Sequence, residues 1–245
     1  MGLLALGWGF LAASAVFIGA LIGWRIDVPP RVGAAVMAFG SGVLLAVIAF
    51  DTLDEAFLDG GLDASIGGMF AGALAFTLGL LWLDRHGARD RKRAWTPVET
   101  NRRAAGVVAL ATVLDGLPES VIIGLNFANG ETVALATVIA VFLSNIPESM
   151  SSTIRMKRAG RSARYVFGVW AAVAVVGGLA TLAGYRFFSE THDEWTAFGQ
   201  ALAAGALLAF LVDTMIPEAF AETREFAGLV AALGFITGFF LTHGL

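Results

Sequence analysis

The sequence predicts an all-α, polytopic membrane protein with eight transmembrane helices. Hydrophobic residues make up 57% of its 245 residues and charged residues only 15%. The apolar residues also fall in long runs, and a run of about twenty is the length that crosses a bilayer as a helix. The sequence has no cysteine, which excludes disulfides and thiolate metal sites.

Eight apolar runs define the predicted spans, which follow one another through a single domain, residues 1–245. The first run has no basic residue before it and is longer than the apolar part of a signal peptide, so we expect it to be retained as a helix. The longest connection is a basic loop, residues 84–103. The predicted spans are 2–23, 32–50, 66–83, 104–127, 132–154, 165–188, 195–220 and 227–245.

Basic residues are distributed unevenly among the connections. Fifteen of the sixteen Lys and Arg residues follow the first, third, fifth or seventh span, and only Arg186 lies on the other side. By the positive-inside rule these segments are cytoplasmic, which places both termini outside the cell membrane. The 84–103 loop is too short for nucleic-acid binding to be expected, and contact with anionic lipid is its simplest role.

The middles of spans four and five carry two versions of one motif. Span four reads Leu-Asp-Gly-Leu-Pro-Glu-Ser from residue 114, and span five reads Leu-Ser-Asn-Ile-Pro-Glu-Ser from residue 143. Helical residues four apart share a face, so Asp115 and Glu119 project together. By the same spacing Ser144 and Glu148 project together, with Asn145 beside them. Each carboxylate at a bilayer centre costs roughly 2.5–3.5 kcal/mol on insertion scales, so something must offset the cost of all three.

Each motif also contains a proline, which changes the backbone next to the carboxylate. Pro118 and Pro147 cannot donate to the carbonyl one turn back, so the carbonyls of Leu114 and Leu143 lose their usual partners. Free carbonyls beside carboxylates make a cation site, and paired irregular helices near the bilayer midplane form many transporter sites. The alternative is that both motifs are ordinary proline kinks whose protonated acids bond neighbouring helices.

Spans two and seven both end in acidic segments. Asp51 and Glu55 lie at the end of span two, and Asp213 and Glu218 lie at the end of span seven. Ionisable residues in a membrane face the bundle interior or a wet cavity, so we expect these acids and the central motifs to line one polar path. Spans one, three, six and eight have no ionisable residue in their apolar interiors and are expected to face lipid or a partner subunit.

Spans two and seven also resemble each other. Aligning Gly42 with Gly205 without a gap pairs several Leu and Ala residues and matches Glu-Ala-Phe from residue 55 with Glu-Ala-Phe from residue 218. The two spans run in opposite directions, which predicts inverted repeats, spans 1–3 and spans 6–8, around the central pair of spans 4 and 5. The acids of span two would then mark an outer vestibule and those of span seven an inner one.

This arrangement resembles the ZIP (Zrt/Irt-like) family of divalent metal transporters over essentially the whole chain. Four features carry the resemblance: the two Pro-Glu motifs, the acidic end of span two, the Pro-Glu-Ala end of span seven, and the eight-helix layout with a long cytoplasmic loop after span three. The resemblance implies transport of a divalent cation such as zinc, iron or manganese, and a possible homodimer. The cation would be the substrate, and neither a further cofactor nor an enzyme activity is implied.

In this family, His-Asn-x-Pro-Glu-Gly in span four and His-x-x-Pro-Glu-Gly in span five bind the metal. Here Asp115 takes the first His position, Gly116 the Asn position, and Glu119 is retained. Ser144 takes the second His position, and Glu148 is retained.

Oxygen donors therefore replace imidazole at the mapped positions, and Asp51 likewise stands where many members have His. Such a site suits harder ions such as Mg²⁺, Mn²⁺ or Fe²⁺, whereas zinc favours nitrogen and sulfur ligands. The loss of Asn at Gly116 favours a single metal ion. The residues expected to bind metal are Asp115, Glu119, Ser144, Asn145, Glu148, Asp51, Glu55, Asp213 and Glu218.

The favoured function is divalent-cation transport by alternating access around the central site. The alternative is a ZIP-like sensor or scaffold that binds metal without transporting it. An intramembrane hydrolase using Asp115 and Glu119 as an acid pair is disfavoured, because no Ser-His, Cys-His or Gly-x-Gly-Asp arrangement accompanies them.

Overall fold

A computed structural model describes residues 2–85, 102–129, 131–189 and 193–244. These residues form helices and short connections, with no β-strand among them. The predicted loop 84–103 falls almost wholly on residues outside the described ranges. The helices are α1 (Gly2–Arg25), α2 (Pro30–Val47), α3 (Leu53–Leu83), α4 (Arg102–Asn129), α5 (Glu131–Arg158), α6 (Ala163–Phe188), α7 (Asp193–Phe210), α8 (Ile216–Thr223) and α9 (Ala227–Gly244).

Four helical stretches in the described ranges are long and apolar enough to cross a membrane: Gly2–Arg25, Pro30–Leu83, Ala163–Phe188 and Glu194–Gly244. This confirms the predicted helical membrane architecture, while the number of eight crossings stays a prediction. Two of the stretches have 54 and 51 residues, far more than the roughly 20 that one crossing needs.

Each of the two long stretches is interrupted by a residue with a positive φ angle. Gly61 has φ 70°, which residues with a side chain rarely adopt, and it divides the first stretch. Arg224 has φ 46° and opens the 3-10 turn Arg224–Phe226 between α8 and α9. These breaks fall between the spans that the sequence predicts.

Two π-helical turns lie at matching positions of the long stretches. The first π turn, Ile48–Thr52, joins α2 to α3, and the second π turn, Leu211–Met215, joins α7 to α8. The gapless alignment of Gly42 with Gly205 pairs these two turns residue for residue. A π turn inserts an extra residue into a helix and is frequent at functional sites. Each turn carries one of the aspartates predicted to bind metal.

Close helix pairs hold the bundle together: α1 packs on α5, α4 on α6, α2 on α9 and α3 on α7. In the last pair, Gly72 of α3 lies against the backbone oxygen of Leu202, and Gly205 of α7 lies against that of Met69. A methyl group at either glycine would overlap the opposing carbonyl. Small residues at such crossings let membrane helices approach backbone to backbone.

Large apolar side chains cover the outside of the bundle. Phe10, Phe70, Trp82, Phe187 and Phe240 are among those exposed. On a water-soluble protein a surface of this kind would promote aggregation, whereas in a bilayer it faces lipid. The distribution of apolar residues thus agrees with a membrane-embedded protein.

The glycine contacts give a direct test of this packing. We expect Gly72→Ala and Gly205→Ala each to lower the free energy of unfolding by about 1–3 kcal/mol, the usual cost of overpacking, because the carbonyl opposite cannot move without separating α3 from α7. The measurement is thermal unfolding of the purified protein in one detergent. Gly168→Ala is the control, since Gly168 lies in α6 with no atom near the added methyl group. Equal melting of all three variants would contradict the packing.

Candidate functional site

Glu119 of α4 and Ser144 of α5 meet in the middle of the bundle. Both side chains are buried, with 1% and 0% of their surface exposed. The Ser144 hydroxyl lies 3.5 Å from Glu119 Oε1 and 3.0 Å from the Val141 carbonyl of its own helix, so its proton is shared between the two acceptors. Asp115, one turn before Glu119, is also buried, and the two carboxyl groups are close enough to interact electrostatically. The two Pro-Glu motifs therefore face each other.

Serine residues follow both prolines and bond back to their own helices. Ser120 Oγ donates to the carbonyl of Gly116 at 2.8 Å, and Ser149 Oγ donates to the carbonyl of Asn145 at 2.6 Å. Such bonds to the residue four positions earlier bend helices slightly, as the prolines do. The two motifs thus share their local geometry as well as their residues.

A small cavity lies beside the central pair. Glu119 and Asn145 both line it, and its volume of about 10 Å³ has room for roughly one water molecule. Helix α1 closes one side: Asn145 Nδ2 donates to the Ala12 carbonyl at 3.4 Å, and Gly19 lies directly against the backbone oxygen of Ile146. Residues of α1, α4, α5 and α6 therefore line the cavity beside Glu119.

Glu148 lies one turn after Ser144 and is 9% exposed. Among the described residues, no three His, Cys, Asp or Glu side chains are grouped so that they could hold a metal ion. Glu148 therefore does not join Asp115 and Glu119 in a three-carboxylate cluster in this conformation. Like charges repel strongly where the dielectric constant is low, so three ionised carboxylates come together only with a cation between them.

A second polar cluster surrounds Asp51, at the end of the bundle where α4 passes into α5. Asp51 Oδ2 accepts hydrogen bonds from Asn126 Nδ2 at 3.0 Å and from Thr137 Oγ1 at 2.5 Å. Asn126 Nδ2 also donates to Thr137 Oγ1 at 2.8 Å. All three residues are buried. Asp51 is therefore held between α4 and α5 in this conformation, and its role in an outer vestibule stays a prediction.

Glu55 lies one turn beyond Asp51 and meets α7. Gln200 Nε2 donates to Glu55 Oε2 at 2.8 Å, and Gln200 is fully buried. Asp54, between the two acids, is exposed. At the acidic end of span two, Asp51 and Glu55 therefore contact other helices, whereas Asp54 is exposed.

The carboxylate of Glu218 lies at the opposite end of α5. Arg155 Nη1 forms an ion pair with Glu218 Oε1 at 2.5 Å, and Ser151 Oγ donates to the same oxygen at 2.5 Å. The side chains of the pair are 19% and 9% exposed. Asp213 is half-buried in the second π turn. The predicted separation of Asp51 and Glu218 toward opposite ends of the bundle is therefore present.

The residues expected to bind metal thus do not form one cluster. The central residues lie on α4 and α5, Asp51 contacts these helices toward one end, and Glu218 contacts α5 toward the other end. Asn126 follows Glu119 by seven residues, Thr137 precedes Ser144 by seven, and Ser151 follows Ser144 by seven. Seven residues are two helical turns, so the outer and inner groups each lie on the order of 10 Å from the centre along the helices.

Sequence reasoning missed the partners of the outer and inner acids, namely Asn126, Thr137, Gln200 and Arg155. A signal was available for two of them. Asn126 and Thr137 are polar residues inside apolar spans, on the same faces as Glu119 and Ser144. Buried polar groups in a membrane need partners, so this spacing could have indicated a shared contact.

These features first define a class of protein. A helical membrane bundle with buried carboxylates between two proline-containing helices, and further carboxylates toward both ends, has the architecture of a cation transporter. The chain belongs to the ZIP zinc transporter family, whose model matches residues 83–245, from the end of α3 through α9. The resemblance seen in the sequence is thereby confirmed, and membership supports transport of divalent metal ions in general. A search of curated proteins finds no match.

The inner ion pair generates a prediction about stability. Arg155→Gln should lower the free energy of unfolding by about 1–3 kcal/mol, because the largely buried Glu218 carboxylate loses its charged donor. Adding Glu218→Gln should recover part of that loss, since the uncompensated charge is gone. Thermal unfolding of both single variants and the double variant gives the coupling energy. Arg164→Gln, an exposed arginine at the start of α6, is the control. Additive losses in the double variant would show that the pair contributes nothing.

Proposed function

We propose that this protein moves divalent metal cations across the membrane by alternating access through a central site of Asp115, Glu119, Ser144, Asn145 and Glu148. The observation that carries the proposal is the completely buried Glu119, facing Ser144 of the second motif and next to the Asp115 carboxyl group. Two adjacent carboxylates in a low-dielectric interior raise the free energy of the fold when no counter-charge is present. They therefore attract a cation strongly.

The acids on either side supply a path to this site. Asp51 and Glu55 would receive the ion on the outer side, and Asp213 and Glu218 would release it on the inner side. Their separation by about two helical turns from the centre lets an ion pass between groups without crossing a long apolar stretch. On the inner side, an ion must compete with the guanidinium of Arg155 for Glu218, so that end is closed by an ion pair in this conformation.

We further propose that the chain makes eight crossings in the cell membrane, with both termini outside, as two inverted repeats around α4 and α5. The helix contacts support this arrangement. An inverted repeat exchanges the first span with the sixth, the second with the seventh, the third with the eighth and the fourth with the fifth. This exchange converts the contact between α1 and α5 into the contact between α6 and α4. It likewise converts the α3 and α7 contact into the α9 and α2 contact.

The glycines at these contacts follow the same relation. Gly205 of α7 lies against the backbone of α3, and its aligned partner Gly42 of α2 lies against the backbone oxygen of Ala231 in α9. The π turns that follow both glycines also correspond. Inverted repeats let one half rock against the other around a fixed site, which is the geometry that alternating access needs.

The ligand types favour a hard metal ion. The proposed site contains carboxylate, hydroxyl and amide oxygens and no imidazole, which suits Mn²⁺ or Fe²⁺ better than a histidine site does. Zinc remains a possible substrate, because Irving–Williams ordering raises its affinity for any site of this kind. The metal ion is the transported substrate and not a resident cofactor.

The central carboxylates can be tested by removing their charge. Glu119→Gln and Glu148→Gln should each abolish Mn²⁺ binding at the central site, because the neutral amide loses most of the attraction for a cation. Metal-free thermal stability should stay level or rise, since a buried charge is removed. Equilibrium dialysis and thermal unfolding of the purified variants measure both quantities.

Glu225→Gln is the matched control, because Glu225 is exposed near the start of α9. If both central variants unfold at much lower temperature, the two glutamates are structural hydrogen-bonding groups and the proposal fails.

Selectivity is expected to depend on Asp115 and Ser144, where oxygen stands in place of the family's imidazole. Asp115→His should shift the competition between Zn²⁺ and Mn²⁺ toward zinc, because a neutral nitrogen replaces an anionic oxygen. Adding Ser144→His should extend the shift, since a serine hydroxyl is a poor zinc ligand. The measurement is competitive binding of the two metals at one pH, with Asp54→His as control because Asp54 is exposed and away from the centre. An unchanged preference would show that neither residue contacts the metal.

A further inference from the structure

We propose that Asp51, Asn126 and Thr137 form a second, separate cation site, which an ion occupies before it reaches the central carboxylates. This inference rests on the proposed function and deepens it, because it adds two ligands, Asn126 and Thr137, and a distinct stopping place on the transport path. The site lies between the first π turn, α4 and α5.

The spacing of the polar atoms is the first observation. Asp51 Oδ2, Thr137 Oγ1 and Asn126 Nδ2 form a triangle with edges of 2.5, 2.8 and 3.0 Å. In an octahedral shell with metal–oxygen distances near 2.1 Å, neighbouring ligands are about 3 Å apart. The triangle therefore already has nearly the size of one face of such a shell.

The orientation of the Asn126 amide is the second observation. Asn126 is completely buried, and within the part of the chain that the structure describes its Oδ1 has no hydrogen-bond partner, although its Nδ2 makes two bonds. The torsion that carries an amide is broad and roughly twofold, so half a turn exchanges the oxygen and the nitrogen. That turn places a third oxygen in the triangle, next to a carboxylate and a hydroxyl.

The charge and ligand types indicate what the site would bind. It has a single carboxylate and two neutral oxygens, a donor set for hard divalent ions such as Mn²⁺ that keep several water molecules. One negative charge holds such an ion more weakly than the paired carboxyl groups at Glu119. A site on a transport path must bind strongly enough to capture an ion and weakly enough to release it.

The experiment uses Mn²⁺ and the full-length protein in lipid nanodiscs, with free Mn²⁺ followed by its paramagnetic resonance signal. Wild type should bind two ions per chain, one at each site. Glu119→Gln removes the central site and should leave one ion bound. In that background Thr137→Val should weaken the remaining binding by roughly 10–100-fold, the range for losing even an indirect metal partner.

Asn126→Asp tests the site in the same background by a change that should strengthen Mn²⁺ binding instead of weakening it. A second carboxylate should tighten Mn²⁺ binding and should make thermal stability depend on Mn²⁺, because the two acids repel unless a cation separates them. Thr181→Val is the matched control: Thr181 is equally buried, and among the described residues its hydroxyl donates to the Ser120 and Gly177 carbonyls, away from Asp51. It should leave the remaining Mn²⁺ affinity unchanged.

The outcomes separate this inference from the proposed function. One ion in wild type and none in Glu119→Gln would overturn the second site and leave the central site intact. An ion that remains in Glu119→Gln but does not respond to Thr137→Val or Asn126→Asp lies elsewhere, which also overturns the inference. No Mn²⁺ binding by wild type would overturn both.

Discussion

The burial of the Glu119 carboxyl group beside Asp115 is the constraint on which the rest of the structure depends. Two acids in a membrane interior destabilise the fold unless polar groups or a cation reach them. The chain places both on α4, faces them with Ser144 of α5, and surrounds the pair with α1 and α6. Close backbone contacts of the kind made by Gly19 keep this enclosure tight. The helices at the periphery can then remain apolar and face lipid.

The three groups of acids differ in what balances them. Asp51 is held by neutral amide and hydroxyl donors, Glu119 faces a serine hydroxyl, and Glu218 is held by the guanidinium of Arg155. On the proposed path, a cation that enters the first group would displace neutral partners, whereas a cation that enters the last would displace a positive charge. The end at Asp51 would then be the easier one to enter in the conformation described. Opening of the other end requires Arg155 to move away from Glu218.

Much of the fold could be predicted because a membrane helix appears in the sequence as one continuous apolar run. The first helix, predicted as 2–23, is Gly2–Arg25, and the break after span two coincides with a glycine of positive φ. The pairing of the two motifs was also predictable, since Asp115, Glu119 and Ser144 follow from helical spacing and a repeated pattern. The family itself was predictable from the same motifs.

The side-chain partners could not be predicted in the same way, because they depend on how distant helices dock. The positions of Asn126 and Thr137 could have indicated that these two residues share a contact, but nothing near Asp51 in the chain indicates that both bond it, and nothing near Glu218 indicates Arg155. The position of Glu148 depends on the conformation of the whole bundle, so helical spacing alone does not decide whether it joins the central acids. The π turns insert a residue into each helix, and helical periodicity does not indicate where such an insertion falls.

Transport through the Glu119 site is tested most directly by flux. Purified wild-type protein and Glu119→Gln are reconstituted at equal density into liposomes, and Mn²⁺ entry is followed with a trapped metal-sensitive dye. Wild type should show saturable entry, and Glu119→Gln should show entry at the level of empty liposomes. Binding without entry in wild type would identify a metal sensor or scaffold, and equal entry with both proteins would show that the ion follows another path; either result would contradict transport through the Glu119 site.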